Sequence, residues 1–97
     1  MIEAAPRVRR EGARLHLSGT LDRIAATTAW PQAMAALAGA RVLDVTAVDA
    51  VDSAGLAMLV ALAARMDDVH VEGAPRGMTE LLAAYRLTPT LAFDDGR

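Results

Sequence analysis

The chain has 97 residues, of which 54% are hydrophobic, and it carries a formal net charge of −2 at pH 7. It contains no cysteine and no lysine, which excludes disulfide scaffolds, thiolate metal sites, thiol nucleophiles and Schiff-base chemistry. Only 3% of its residues are aromatic and positive charge is not in excess, which argues against nucleic-acid binding.

The first two predicted elements are strands. Val8 lies among arginines, which is typical of an edge strand, because charged side chains discourage edge-to-edge pairing. Arg14–Ser18 alternates polar and apolar residues, the period of a half-buried strand. The basic residues near this end are interpreted as a solvated edge of the sheet; they are Arg7, Arg9, Arg10 and Arg14.

A helical pattern follows from Leu21 to Leu37. Thr27 or Thr28 is suited to cap this helix, with Pro31 in its first turn, where a missing N–H costs little. Gly39 would end it. Trp30, the sole tryptophan, then lies at the head of the helix, either as a partner anchor or as a core residue.

The middle of the chain predicts a central strand and then the clearest helix. Val42–Val45 is apolar on both faces except at Asp44, as in a parallel strand covered on both sides. From Ser53 to Met66, apolar residues recur with the spacing of one buried helical stripe.

The last part of the chain predicts a strand, a helix and one further short strand. Val69–Gly73 is interpreted as a strand with its turn, and Gly77–Leu87 as a helix that Thr88-Pro89 ends. Met78, Leu81, Leu82 and Tyr85 would share one side of that helix. Thr90–Phe93 is interpreted as a short final strand.

This order of elements predicts one α/β domain over residues 1–97, with a core from about 8 to 93. We expect a mixed, mostly parallel sheet of about four to five strands with helices mainly on one side. The longest apolar stretch, Ala54–Ala64, is shorter than the roughly 20 residues that span a bilayer. A cytoplasmic location without membrane insertion is expected.

The segment Asp52-Ser53-Ala54-Gly55 joins the central strand to the clearest helix. Asp52 or Ser53 can accept hydrogen bonds from the free N–H groups of the helix start, and capping is the commonest role of such a segment. A phosphate on Ser53 would be stabilised by the same donors. Gly55 lets another backbone approach the first helical turn.

Other polar residues give weaker indications of a site. Asp44, Asp49 and Asp52 form a loose acidic group, for which a magnesium site is one interpretation and capping or loop roles are the favoured one. His16 and His70 fall at polar strand positions without a third ligand. No base accompanies Ser53, so we expect neither an enzyme nor a cofactor.

Two stretches give the chain a family resemblance. Leu43-Asp44-Val45, followed by Val51-Asp52-Ser53-Ala54-Gly55-Leu56 and Leu59, resembles the "D-S/T-x-G-L" pattern of STAS domains. These domains occur in anti-sigma-factor antagonists and in the tails of sulfate transporters. The resemblance implies that Ser53 is a phosphorylatable or partner-contacting position.

A closer resemblance is to the small STAS subunit of the Mla-type phospholipid ABC transporter. Leu15–Asp22 resembles its "L-x-L-S-G-x-L-D" segment, Trp30 matches a tryptophan of its first helix, and Leu81–Leu87 resembles its final helix. This implies a non-catalytic subunit that binds the cytoplasmic ATPase of the transporter. The alternative is an anti-sigma-factor antagonist that an anti-sigma factor kinase switches at Ser53. The expected partner-binding residues are Ser53, Asp52, Ala54, Gly55, Leu56, Met58 and Trp30.

Overall fold

The computed structural model describes residues 7–92, which form one four-stranded sheet and three helices. The predicted α/β class is therefore confirmed. In chain order the elements are β1 (Arg7–Glu11), β2 (Arg14–Leu21), α1 (Arg23–Ala36), β3 (Val42–Val51), α2 (Ser53–Ala63), β4 (His70–Glu72) and α3 (Met78–Ala84).

The strands lie in the order β1-β2-β3-β4. β1 and β2 form an antiparallel hairpin around Gly12, whose φ of 60° suits a residue without a side chain. β2–β3 and β3–β4 are parallel pairs, connected through α1 and α2 respectively. The sheet is thus mixed and mostly parallel, as predicted, with β1 and β4 at its edges.

One face of the sheet is apolar and covered by helices. Leu15 and Leu17 of β2 and Leu43 of β3 are buried on this face. Both α1 and α2 contact β2 and also contact each other, so they cover the same side. The opposite face carries Arg14 and His16, which alternate with the buried leucines along β2. The predicted one-sided helix layer is confirmed.

β3 is longer than the predicted Val42–Val45, because it continues to Val51. Two irregularities in its pairing with β2 explain the difference, since at each of them β3 has one residue more than its partner strand. These bulges interrupt the alternation of inward-facing and outward-facing residues from which a strand is predicted in a sequence. Asp49 therefore lies on a strand and not in a loop.

The start of α1 differs from the prediction. The N-cap is Asp22, whose Oδ1 accepts a hydrogen bond of 2.8 Å from the backbone N–H of Ala25. The hydroxyls of Thr27 and Thr28 donate instead to carbonyls one turn earlier. Pro31 consequently lies inside the helix, on its exposed side, and not in its first turn.

The structure corrects three further predictions, which concern the end of α2, the end of α3 and the position of Tyr85. α2 ends at Ala63 and α3 at Ala84, each a few residues earlier than expected. Arg86 has a left-handed φ of 55°, which ends α3 before the proline is reached. Tyr85 is 51% exposed and does not share the buried side of α3.

The last described residues form a turn. The backbone N–H of Thr88 donates to the carbonyl of Ala92 at 2.7 Å, so 90–92 are not a strand. Phe93, the final residue of that predicted strand, lies outside the described residues. Among residues 7–92, no helix combines the length and the hydropathy that crossing a membrane would require.

Candidate functional site

The turn from β3 into α2 is built around Asp52. Val51 is buried at the end of β3, and Asp52 then adopts an extended conformation. Its Oδ1 accepts a hydrogen bond of 2.9 Å from the backbone N–H of Gly55, so Asp52 is the N-cap of α2. Ser53 is the first helical residue and is exposed, and its hydroxyl is not needed for the cap.

Gly55 lies against the chain's own backbone. A Cβ atom placed on Gly55 would come within 2.0 Å of the carbonyl oxygen of Leu21 at the end of β2. The same carbonyl accepts a hydrogen bond of 3.2 Å from the N–H of Asp52. The predicted close approach at Gly55 is therefore real, but it occurs within the domain and leaves no space there for a partner.

Two of the expected partner-binding side chains point into the core. Leu56 is 2% exposed and Met58 is 5% exposed, and both belong to the main hydrophobic cluster. Met58 thus offers almost no surface for a direct contact, contrary to its expected role. Ala54 is half-buried and Ala57, one turn after Ser53, is exposed.

The outer face of α2 borders an open groove of about 510 Å³. Apart from Ser53, every residue of α2 is apolar or glycine, whereas a surface helix normally has a polar outer face. Within the described part of the chain, residues 7–92, no charged residue lines the groove. Its walls are formed by Ser53, Ala54, Leu56, Ala57, Val60, Ala61, Ala64, Tyr85 and Leu87, which we call the α2 groove.

Trp30 lies away from Ser53. It is half-buried in the second half of α1, where it packs against the core. The guanidinium carbon of Arg65 lies 5.4 Å from the centre of its ring, a cation–π distance. Arg65 follows the last turn of α2, whereas Ser53 is the first residue of that helix. Trp30, which contacts Arg65, therefore lies near the opposite end of α2 from Ser53, and the two residues do not form one cluster. A partner contact by Trp30 stays a prediction.

The three aspartates do not form a site together. Asp44 and Asp49 are five residues apart on β3, which places them about 16 Å from each other. Asp52 caps α2. Within residues 7–92, no group of three or more histidine, cysteine, aspartate or glutamate residues is placed to hold a metal ion.

Asp44 is a buried carboxylate on the open face of the sheet. It is 7% exposed and accepts hydrogen bonds from the backbone N–H and the hydroxyl of Thr46, at 2.9 Å and 2.6 Å. Burial favours the neutral form, but these two hydrogen bonds and the one that Arg14 donates outweigh it and lower the pKa of Asp44. Nδ1 of His16 lies 3.1 Å from the same carboxylate.

Arg14 connects three strands across this open face. Its guanidinium donates to Glu72 on β4 and, at 3.2 Å, to Asp44 on β3. The hydrogen bond to Glu72 is the main reason why the pKa of Arg14 is raised and that of Glu72 is lowered. The interpretation of Arg14 as part of a solvated edge is therefore wrong.

Arg10 has a second structural role that the sequence pattern did not reveal. It lies on the helix side of β1, and its Nη1 donates to the carbonyls of Ala36 and Ala38 at 2.6 Å and 2.7 Å. These carbonyls are at the end of α1, where backbone acceptors lack partners within the helix. Arg10 is 26 and 28 residues away from these two acceptors in the sequence, and the fold brings them together.

The comparisons with known proteins agree with this geometry. Residues 4–91 match the family model described as "Mlab, STAS domain", which covers nearly the whole chain. No curated protein matches the chain significantly. With a capped turn leading from the central strand of a mixed sheet into α2, and a family match of this extent, the chain belongs to the STAS domain family.

Proposed function

We propose that this chain is a non-catalytic STAS subunit that docks onto a partner protein through the α2 groove. The partner we propose is the cytoplasmic ATPase of a phospholipid-transporting ABC system of the Mla type, which the subunit regulates or stabilises. Through this complex it would reside at the inner membrane without entering it.

The uncharged outer face of α2 is the observation that carries the proposal. A helix that is apolar on all sides is normally buried, yet Ala57 on α2 and Ala64 at its C-cap are exposed. Burying this face against a partner would gain free energy at about 25 cal/mol per Å² of apolar surface. The face begins at Ser53, so a partner seated there would touch its hydroxyl.

Two findings support a non-catalytic role and this class of partner. STAS domains are generally non-catalytic, and the matching family model carries the description "Mlab". The segment Leu15–Asp22, which resembles the Mla-type subunit, forms β2 and the cap of α1 in this fold.

Co-purification tests the proposal. A tagged chain expressed in its native host should retain an ABC ATPase, and Ser53→Glu should weaken that complex about tenfold or more by placing a charge in a desolvated interface. Thr28→Glu is the matched control, because it places the same charge on the exposed outer side of α1. Equal retention by Ser53→Glu and the unaltered chain would overturn docking at this position.

The alternative function is an anti-sigma-factor antagonist switched by phosphorylation of Ser53. Its supporting observation is that Asp52 makes the cap, which leaves the exposed hydroxyl of Ser53 accessible to a kinase. A phosphate there would be tolerated by the free chain, because a helix start favours negative charge. It would instead disturb a docked partner.

A phosphate-transfer assay separates the two functions. If the alternative holds, the chain should recover a histidine-kinase-like anti-sigma factor, which should transfer phosphate from ATP to the chain. Ser53→Ala should abolish the transfer, whereas Thr27→Ala, at an exposed position on α1, should leave it unchanged. Recovery of an ABC ATPase with no phosphate incorporation would reject the alternative.

A further inference from the structure

We infer that residues 78–92 form a flap that moves away from α2 as one unit while the sheet stays folded. The C-terminal flap, as we call these residues, consists of α3 and the turn that follows it. It supplies Tyr85 and Leu87 to the wall of the α2 groove, so its position determines the shape of that groove. The inference concerns the chain itself and does not depend on which partner the groove binds.

The segment before the flap is hydrogen-bonded to the sheet. The backbone N–H of Val51 donates to the carbonyl of Arg76 at 3.0 Å, and the N–H of Arg76 donates to the carbonyl of Asp49 at 3.3 Å. Arg76 also forms a β-bridge with Ala50 near the end of β3. The chain is therefore fixed to β3 as far as Arg76, and a movement of the flap has to begin after this residue.

Gly77 has the properties of a hinge between this fixed segment and the flap. Its φ of 90° is a conformation that residues with side chains rarely adopt. A Cβ atom at this position would lie 2.7 Å from the carbonyl oxygen of Val51, so the close approach to β3 also requires glycine. Backbone rotation is least restricted at a glycine, and this one lies directly before the first residue of the flap.

The flap has no polar connection to the sheet or to the other helices. In the part of the chain that the structure describes, no hydrogen bond or ion pair joins the flap to any residue before Pro75. The turn after α3 is closed by its own residues, since the N–H of Thr88 donates to the carbonyl of Ala92 and that of Leu91 to the carbonyl of Thr88. Apolar packing therefore holds the flap in its closed position.

Leu91 is the anchor of this packing. Its side chain is 2% exposed and belongs to the main hydrophobic cluster, whereas Leu81, Leu82 and Leu87 are only partly buried. Met78, the other buried residue of the flap, adjoins the hinge and stays in place when the flap opens. Leu91 has a left-handed φ of 67°, which costs free energy for a residue with a side chain. Withdrawal of Leu91 relieves this strain and so offsets part of the apolar contact that opening loses.

Opening should unfold α3 as a unit. The helix has seven residues, and a helix of this length is not stable in water without packing against another element. Once the flap leaves α2, the hydrogen bonds within α3 are lost together, and its amide hydrogens exchange with solvent. Amide hydrogen exchange therefore detects opening of the flap while the sheet remains protected.

Native-state hydrogen exchange of the full chain, followed by NMR at increasing low concentrations of urea, tests the inference. The amides of Leu81, Tyr85 and Leu87 are hydrogen-bonded inside the flap, and we expect them to share one opening equilibrium constant and one urea dependence. That constant should be at least about tenfold larger than the constant for the amides of β2. Equal constants for flap and β2 would mean that the flap opens only with the whole domain. Separate, urea-independent constants would indicate fraying of single residues, and either result would overturn the inference.

Two substitutions separate opening of the flap from unfolding of the domain. Leu91→Ala removes the anchor and should raise the opening constant of the flap amides at least about thirtyfold. Leu91→Val, a smaller truncation, should change this constant in the same direction and serves if Leu91→Ala does not fold. Arg10→Ala weakens β1, at the opposite edge of the sheet, equally in the closed and the open form. It should therefore leave the opening constant of the flap unchanged. Faster exchange of the flap in Arg10→Ala, or unchanged exchange in both Leu91 variants, would contradict a flap that opens by itself.

Discussion

At the scale of single residues, neighbouring positions in the turn into α2 have different structural roles. Asp52 caps the helix, Gly55 allows contact with the end of β2, and Ser53 stays exposed. The sequence pattern indicated that this turn caps a helix but left the capping residue open between Asp52 and Ser53. Only the geometry distinguishes them, since both residue types are good caps.

Replacing the two polar residues should therefore have unequal effects on stability. Asp52→Ala should lower the free energy of unfolding by about 1 kcal/mol, because the N–H of Gly55 loses its acceptor. Ser53→Ala should change it by less than about 0.5 kcal/mol, the usual range for surface substitutions. Urea unfolding of both variants checks this. A larger loss for Ser53→Ala would assign the cap to the serine.

Gly55→Ala should be among the most destabilising changes of this size. The added methyl would meet the carbonyl of Leu21 at 2.0 Å, and relief requires a shift of α2 against β2. Overpacking of this kind costs about 3 kcal/mol. Gly12→Ala is the control, because its surroundings are open and only the backbone strain of its φ of 60°, about 1 kcal/mol, is added. Equal melting temperatures for the two variants would contradict this contact.

At the scale of elements, sequence patterns predicted the helices and strands whose positions depend on residues close to each other in the chain. The alternation around Leu15 located β2, and the apolar stripe of α2 located that helix. The start of α1 was misjudged because two threonines and Pro31 resemble a helix start as much as Asp22 does. The roles of Arg10 and Arg14 were missed because their partners come from other elements, where no spacing rule applies.

The contact of Arg10 with α1 predicts a local effect of its removal. Arg10→Ala should lower the free energy of unfolding by about 2 kcal/mol, since the carbonyls of Ala36 and Ala38 lose a charged donor. Amide hydrogen exchange should accelerate first at the end of α1. Arg9→Ala, at an exposed position on the other face of β1, should have little effect. Uniform acceleration across the domain would argue against a local cap.

At the scale of the whole molecule, charge and apolar surface are separated between two sides. The open face of the sheet carries a chain of opposite charges, whereas the outer face of α2 carries none between Asp52 and Arg65. This separation was not evident from a net charge of −2. It arises from the register of the strands, which places Arg14, Asp44 and Glu72 on one side.

The carboxylates of this face predict a loss of stability in acid. The folded-state pKa values of Asp44 and Glu72 are lowered, so both bind protons more readily in the unfolded chain. Their contribution is fully present above the unfolded values near 4 and is lost as pH falls through the lower folded values. Urea unfolding between pH 7 and pH 2 should show this decline. Arg14→Met should make the free energy of unfolding fall less steeply with decreasing pH, whereas Arg9→Met should leave the slope unchanged.

The position of Arg14 also bears on how the protein keeps from associating through its own strands. β4 pairs with β3 over only three residues, and the link from Arg14 to Glu72 helps to hold it there. Loss of that link in acid or in concentrated salt should weaken the pairing of β4, which covers the edge of β3 at Val42–Asp44. An uncovered, apolar strand edge is a template for fibre growth. Arg14 therefore helps to protect the folded protein from association through this edge. Sample preparation at neutral pH and low salt should preserve its link to Glu72.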